Sequence, residues 1–317
     1  MTGGPSEASA PHVRRRKRKY EIIMGKIWAR SQRAIICLLA TVAPGLCDRL
    51  MYLHRFHRHL DMQSPETLNE KILWLKRNVY SRSKLVSKCA DKYRVREYVR
   101  ESGCGDILNE LYGVYETPEE IDWDALPDAF VIKYNHGCGY NLLCPEKVLL
   151  NIPEAMERLR AWGRADYWRM YAELQYKEIK KKIICEKYLG TDGVPPTDYK
   201  VYCFNGRPMY TLACEDRGNG KTHFYFFDNE WKFCPITHDG LAKDSGFTLP
   251  RPKHFSQMID CAERLSKPFP FVRVDFFDTE EKLVFGELTF TPSAGLDTDR
   301  LPETDIMFGN MLRLPQH

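Results

Sequence analysis

The chain has 317 residues, 43% hydrophobic and 28% charged, a balance that fits a globular protein whose core needs neither disulfides nor a structural metal. Its net charge is +4, but residues 1–33 carry nine Lys/Arg against two Glu, a net +7, which leaves the body at −3. That body lacks the basic face of a nucleic-acid binder, and eleven cysteines without a CxxC pair read as reduced thiols of a cytoplasmic protein rather than as zinc ligands.

In chain order, residues 1–19 are expected to be a disordered basic tail, with six consecutive basic residues from Arg14 to Lys19. Residues 20–59 read as an amphipathic helical element. Its apolar stretch Ile35–Val42 is too short to span a bilayer, and no small-residue cleavage site marks a signal peptide. Two readings stand side by side: residues 14–43 rest on an anionic membrane surface, at its inner face, or form a solvated tail and an ordinary packed helix. Residues 60–128 read as helical. One helix starts at Ser64-Pro65, with Ser64 as N-cap, and shows Ile72, Leu73 and Leu75 on its apolar face. A second covers Lys84–Arg100 without interruption, carrying Asp91 and Lys92, and stops at the glycine loop 102–105.

Residues 129–134 read as a strand that runs into Asn135-His136-Gly137-Cys138-Gly139-Tyr140. Helices are expected to fill 153–181. A strand Ile183–Leu189 follows, then hairpins: Tyr199–Phe204 with Pro208–Cys214 about Asn205-Gly206, and His223–Phe227 with Trp231–Phe233. A helix at His254–Leu265 precedes the last hairpin, Phe271–Phe277 with Leu283–Phe290. Helices, a strand with a glycine loop, more helices and then successive hairpins predict a multi-lobed α+β fold.

Four segments carry candidate chemistry. Side chains alternate along a strand, so Arg273 and Asp275 share one face, and position parity across the hairpin adds Glu287 and Thr289, with Glu287 near Arg273. Diagonal neighbours across a hairpin lie ~7–8 Å apart, close enough for two carboxylates to hold Mg²⁺ between them. Lys133 ends its strand just before the loop 136–139, whose glycines allow backbone N–H groups to approach phosphate oxygens. The loop lacks the Gly-Lys-Ser/Thr ending of a P-loop. In Glu186-Lys187-Tyr188-Leu189, a strand leaving a sheet edge offers backbone donors and acceptors, and Asp198 follows. Lys200 and Arg217 are cations that would suit an anionic acceptor.

The order Asp91-Lys92, Lys133 with its glycine loop, Glu186–Leu189, Asp198, Arg-x-Asp and Glu-x-Thr-x-Thr-Pro resembles the ATP-grasp superfamily, which includes the D-alanine–D-alanine ligases. The phrases SPETLNEKILWLK (64–76), DKYRVREYV (91–99), DYKVYCFNG (198–206) and FVRVDFF…FGELTFTPSAG (271–295) look most like its TupA-like branch, linked to teichuronopeptide and cell-surface polysaccharide synthesis. The resemblance implies ATP and Mg²⁺, with the nucleotide held between two antiparallel-sheet lobes and an extra helical element in front. Under it, 60–128 is an N-terminal helical lobe, 129–190 the small lobe and 191–317 the large lobe. Lys92 and Lys133 look like the phosphate lysines, with His136, Gly137, Cys138 and Gly139 closing over the phosphates. Glu186, Lys187 and Leu189 look like the adenine hinge, Lys187 and Leu189 acting through their backbone. Asp198 matches the ribose-binding acid, Asp275 and Glu287 the metal ligands, and Arg273 the cation at the transferring phosphoryl group. Thr289 stands where these ligases commonly carry Asn, which leaves the number of metal ions open; Thr291 is a further hydroxyl beside it.

The reaction this implies is a carboxylate–amine ligation through an acyl phosphate, joining an acidic glycan or sugar-linked carboxylate to an amine. A glycan kinase on the same fold is the alternative, with Asp216, His223 or His238 as its base. A sugar transferase is a further reading, for which a nucleotide-sugar fold with an Asp-x-Asp metal motif would be expected. A non-catalytic nucleotide-binding module would not need both carboxylates and both lysines.

Overall fold

The computed structural model describes residues 33–191, 194, 196–216 and 222–316; the basic run Arg14 to Lys19 and the candidate Arg217 lie outside them. Residues 33–42 are helical, and helix α1 (Pro44–Phe56) follows with proline in its first turn, where no N–H is needed. Helix α2 (Leu68–Asn78) begins after Thr67 rather than at Ser64. Thr67 accepts from the Glu70 N–H and Glu70 accepts from the Thr67 N–H, so a capping box fixes the start. Ser64 belongs instead to a turn closed by Asp61.

The segment expected as one helix over 84–100 is two, α3 (Lys84–Ala90) and α4 (Val95–Glu101). Asp91 Oδ1 accepts from the N–H groups of Tyr93 (2.8 Å) and Arg94 (3.1 Å), an alternative that helix continuation cannot match. The break frees the Lys92 N–H, which donates to the Asn135 carbonyl at 3.2 Å.

A four-stranded antiparallel sheet has the order β1-β4-β2-β3, from β1 (Leu111–Tyr115), β2 (Phe130–Tyr134), β3 (Asn141–Cys144) and β4 (Ile183–Lys187). Strand β1 has no counterpart in the sequence reading: its five residues are all half-buried, so no alternation marks it. Helix α5 (Ile152–Arg164) packs Ala155 and Leu159 against Phe130, Ile132, Ile183 and Cys185 of this sheet. The helix expected to continue to 181 gives way to single 3₁₀ turns at Tyr167–Arg169 and Leu174–Tyr176. Ala172 between them has φ 52°, left-handed backbone that no right-handed helix passes through.

The second sheet is six-stranded and antiparallel, in the order β10-β9-β5-β6-β7-β8. Its strands are β5 (Asp198–Phe204), β6 (Arg207–Glu215), β7 (His223–Phe227), β8 (Phe233–Cys234), β9 (Phe271–Asp278) and β10 (Leu283–Thr289). Asn205-Gly206 makes the β5–β6 turn. The short helix α6 (His238–Leu241) follows β8, while α7 (Phe255–Ser266) and α8 (Pro302–Met311) close the main core. There Val201, Cys203, Val274 and Phe276 meet Met258, Leu265 and Phe308 in one continuous cluster. The opposite face of β5, β9 and β10 turns toward the four-stranded sheet and leaves a cleft.

Candidate active site

The cleft has a volume of about 650 Å³ and is lined from both sheets, by Val131, Lys133, Ile184 and Glu186 on one side and Asp198, Lys200, Asp275 and Glu287 on the other. Its floor is a ladder, because residues directly opposite on antiparallel strands point to the same face. Asp198 stands opposite Phe277, Lys200 opposite Asp275 and Tyr202 opposite Arg273. Strand β10 adds Glu287 beside Asp275 and Thr289 beside Arg273. Sequence parity put Glu287 near Arg273; the observed pairing differs by one rung.

A β-bulge produces that pairing. The turn sets Leu283 opposite Asp278, and unbroken register from there would put Gly286 opposite Asp275 and turn Glu287 to the core. The bulge between Phe285 and Glu287 returns Glu287 to the cleft face. Glycine suits it sterically, since a Cβ at 286 would come within 3.0 Å of the Asp275 carbonyl oxygen.

Charges in the cleft are joined in networks of ion pairs. Lys92 Nζ lies 2.8 Å from Glu287 Oε2, and Lys200 Nζ lies 2.6 Å from Asp198 and 2.7 Å from Asp275. Arg273 grips Asp275 with two hydrogen bonds of 2.7 Å and donates to Thr289 Oγ1 at 3.3 Å. Thr289 in turn donates to Glu287 at 3.2 Å. Burial opposes ionisation of Glu287, yet Lys92, Lys200 and Arg273 outweigh it and hold the carboxyl well below the ordinary range. Burial likewise opposes the charge on Arg273, and Asp275 more than restores it. Lys200, assigned from sequence to the acceptor, thus stands between Asp198 and Asp275 on the cleft floor.

On the other wall Lys133 donates to Glu186 at 2.9 Å, and Arg96 Nη1 holds the second Glu186 oxygen at 2.9 Å. Glu186 is therefore a buried clamp for two cations. The Lys187 N–H donates to the Glu110 carbonyl at 3.0 Å, and its carbonyl accepts from Asn109 Nδ2 at 2.9 Å. Of the hinge backbone, the Lys187 carbonyl keeps one lone pair, and the Leu189 N–H has no backbone partner among the described residues. Leu189, Pro196, Phe277 and Phe285 give this end of the cleft apolar walls, beside Asp198.

The glycine loop joins β2 to β3, and only Cys138 and Gly139 of its candidate residues reach the cleft. His136 and Gly137 point away. His136 is 2% exposed, packed between the Tyr134 and Tyr140 rings, with Nε2 donating to the Ala165 carbonyl at 3.2 Å. Burial first, then Lys181, pushes its pKa down to about 4, so the ring is neutral. Gly137 lies under the Tyr167 ring, where a Cβ would come within 2.5 Å. The loop's root is thus pinned and its tip alone faces the cleft.

The residues fit the nucleotide and metal that the sequence implies. Two carboxylates and a hydroxyl, all oxygen donors, suit Mg²⁺, which takes few protein ligands and completes its shell with phosphates and water. No cluster of three or more His, Cys, Asp or Glu occurs among the described residues, so no all-protein metal cage competes. Asp275, Glu287 and Thr289 would hold the ion; Lys92, Lys133 and Arg273 would neutralise phosphate charge.

Three participants escape the sequence reading. Arg96, four residues after Lys92, clamps Glu186, and the four-residue spacing of two cations was its only mark. Asn135 receives the Lys92 N–H on its carbonyl and donates to Asp91 at 2.9 Å, tying the glycine loop to the α3–α4 break. Glu173, 3% exposed, accepts from Thr291 just past Thr289, and burial raises its carboxyl pKa. Nothing local distinguishes it.

A family model described as TupA-like ATP-grasp matches residues 70–313. No curated protein matches the chain. Among solved structures, D-alanine–D-alanine ligase from Bacillus anthracis with ATP is similar at 13% identity and TM-score 0.40, over 70% of this chain and 61% of that one. An L-amino acid ligase from Bacillus licheniformis is similar at 10% identity and TM-score 0.41, over 66% and 44%. N5-carboxyaminoimidazole synthase from Aspergillus clavatus is similar at 13% identity and TM-score 0.39, over 72% and 53%. The chain therefore spans less than two thirds of each of these proteins.

Proposed function

The chain belongs to the TupA-like ATP-grasp family, and from that membership we propose that it is an ATP- and Mg²⁺-dependent carboxylate–amine ligase working through an acyl phosphate. The acid is a uronic acid or another sugar-linked carboxylate, and the amine is an amino acid or simple amine. The reaction serves the assembly of a surface polysaccharide. Its place is the cytoplasmic side, at the inner face of the membrane; cysteines that all stand as free thiols accord with a reducing compartment.

One observation carries the reading: three cations, Lys92, Lys200 and Arg273, contact the facing pair Asp275 and Glu287, and Lys133 lines the other wall of the same cleft between two sheets. Such a corner suits phosphoryl transfer, where positioning and charge neutralisation do most of the catalysis. In this reading the apolar end at Leu189 and Phe277 takes the base and Asp198 the ribose. Lys92 and Lys133 exchange their carboxylate partners for phosphate oxygens as the nucleotide enters. Glu287, ionised by its cationic neighbours, and Asp275 would hold the metal, which would supply charge neutralisation at the phosphates. Arg273, held in place by Asp275, steadies the transferring group. The acid's carboxylate oxygen attacks the γ-phosphorus and ADP leaves; the amine then attacks the acyl carbon, loses a proton and expels phosphate. Cys138-Gly139 closes over the phosphates and keeps water from the acyl phosphate.

The test follows the γ-phosphate with Mg²⁺, a panel of uronates and hydroxylamine as surrogate amine. Hydroxamate appearing with ADP and free phosphate is the expected result. A stable phosphate ester on the acceptor, without hydroxamate, would make the protein a kinase and overturn the ligase reading.

A further inference from the structure

The helical segment 33–42 and α1 are apolar on two faces. One face seals onto the body: Ala40 and Cys47 are buried against Ala172, with Ile36, Leu39 and Met51 around them. Arg33 adds a contact to the Met170 sulfur at 3.5 Å. Away from that face, Ile35, Leu38 and Val42 of the first segment and Leu46 and Leu50 of α1, on either side of the break at Ala43, are exposed by 58, 62, 67, 48 and 46%. Nothing among the described residues covers them. An apolar stripe of this length on a folded protein marks a contact surface.

Charge decides what it contacts. Between residues 33 and 59 the only acidic residue is Asp48, which is 2% exposed and ion-paired with Lys76 and Arg77. The exposed border is cationic, with Arg33 and Arg49 beside the stripe and, at its end, Arg55, which donates to Thr298, and Arg58, which pairs with Glu70. The sequence ahead of residue 33 adds the run Arg14 to Lys19. A second copy would bring the same cations to the contact and be repelled, and so would the basic run Arg14 to Lys19 of the leading residues. An anionic bilayer satisfies both features at once, the stripe entering the interface and the arginines meeting lipid phosphates.

We propose that the face formed by Ile35, Leu38, Val42, Leu46 and Leu50, with its arginine border, seats the protein on an anionic membrane surface. No helix among the described residues is long and apolar enough to cross a membrane. The seat is fixed to the Arg273 end of the cleft, because Ala172, which seals the helices, directly precedes Glu173 and its bond to Thr291. The inference stands apart from the ligase reading, and its test requires no substrate.

The experiment floats the full chain with phosphatidylcholine vesicles and with vesicles containing phosphatidylglycerol. Binding to the anionic vesicles is expected to weaken about tenfold or more on neutral vesicles or in high salt. The Leu38→Glu/Leu46→Glu variant should bind the anionic vesicles about tenfold or more weakly while keeping its melting temperature, since both residues lie outside the packed face. Arg49→Glu, also exposed, should weaken binding severalfold by charge alone. Absence of binding to anionic vesicles, unchanged binding by the double variant, or dissociation of a dimer as its sole effect would overturn the proposal.

Discussion

At the scale of single residues, the cleft depends on Glu287, a carboxylate kept ionised by its neighbours. Glu287 is poised in this way by Lys92 and Arg273, so Glu287→Gln removes a negative charge from the proposed metal corner and changes little in shape. ATP turnover in that variant is expected to fall about 10²–10³-fold, with the melting temperature near wild type, as measured by ADP release and thermal unfolding. Turnover at the wild-type rate would remove Glu287 from the metal set. His136 gives a different prediction, in pH. Its folded pKa, about 4, lies below the ordinary histidine value of 6.5, so the unfolded chain binds the extra proton between the two. Its contribution to stability is complete above pH 6.5 and is lost as pH falls toward 4, on the order of 3 kcal/mol in all. Urea unfolding between pH 7 and 4.5 should show this slope, and His136→Gln should flatten it by roughly one proton. An identical slope in the variant would assign the pH dependence elsewhere.

Among the elements, the β9–β10 hairpin shows how one residue sets a site. The strands would pair without the bulge at Gly286, but Glu287 would then face the core. Gly286→Val places a side chain against the Asp275 backbone, 3.0 Å away at its Cβ. The expected cost is about 1–3 kcal/mol of stability and a loss of ATP turnover beyond what that cost explains, read from urea unfolding and ADP release on the same samples. Full activity would mean that the register tolerates the side chain. The break between α3 and α4 works similarly: the Asp91 turn ends one helix and presents Lys92 to Glu287 while the Lys92 N–H is tied to Asn135. A lysine inside a continuous helix would have had no such double anchorage.

For the molecule as a whole, a buried ion pair holds the leading helices to the body. Asp48 of α1 contacts Lys76 at 2.8 Å and also Arg77, whose other nitrogen reaches the Ala172 carbonyl. Lys76 is 1% exposed, so Asp48→Ala leaves a buried cation without its partner. The expected destabilisation is about 3–5 kcal/mol, visible in urea unfolding, whereas Asp48→Leu with Lys76→Met should recover much of it. No recovery in the double variant would mean that the helices depend on the pair for position and not only for charge balance.

The sequence by itself determined the class of fold and most of the hairpins, because alternation and turn residues such as Asn205-Gly206 are local signals that tertiary packing had no reason to override. It also marked Lys133, Asp198, Asp275 and Glu287, charged residues in apolar strands or at their ends, where burial without a partner would be costly, and Lys92 through the family resemblance. Only the tertiary structure decided how they meet. Long-range pairing put Glu287 opposite Asp275 through a bulge, moved Lys200 to the cleft floor and turned His136 into the core, since each depends on residues scores of positions away. Strand β1, the helix break at Asp91 and the irregular path through Ala172 were likewise decided there. At Asp91 a local turn combines with the tie to Asn135, and in the other two packing from distant segments outweighed the weak preference of the local sequence.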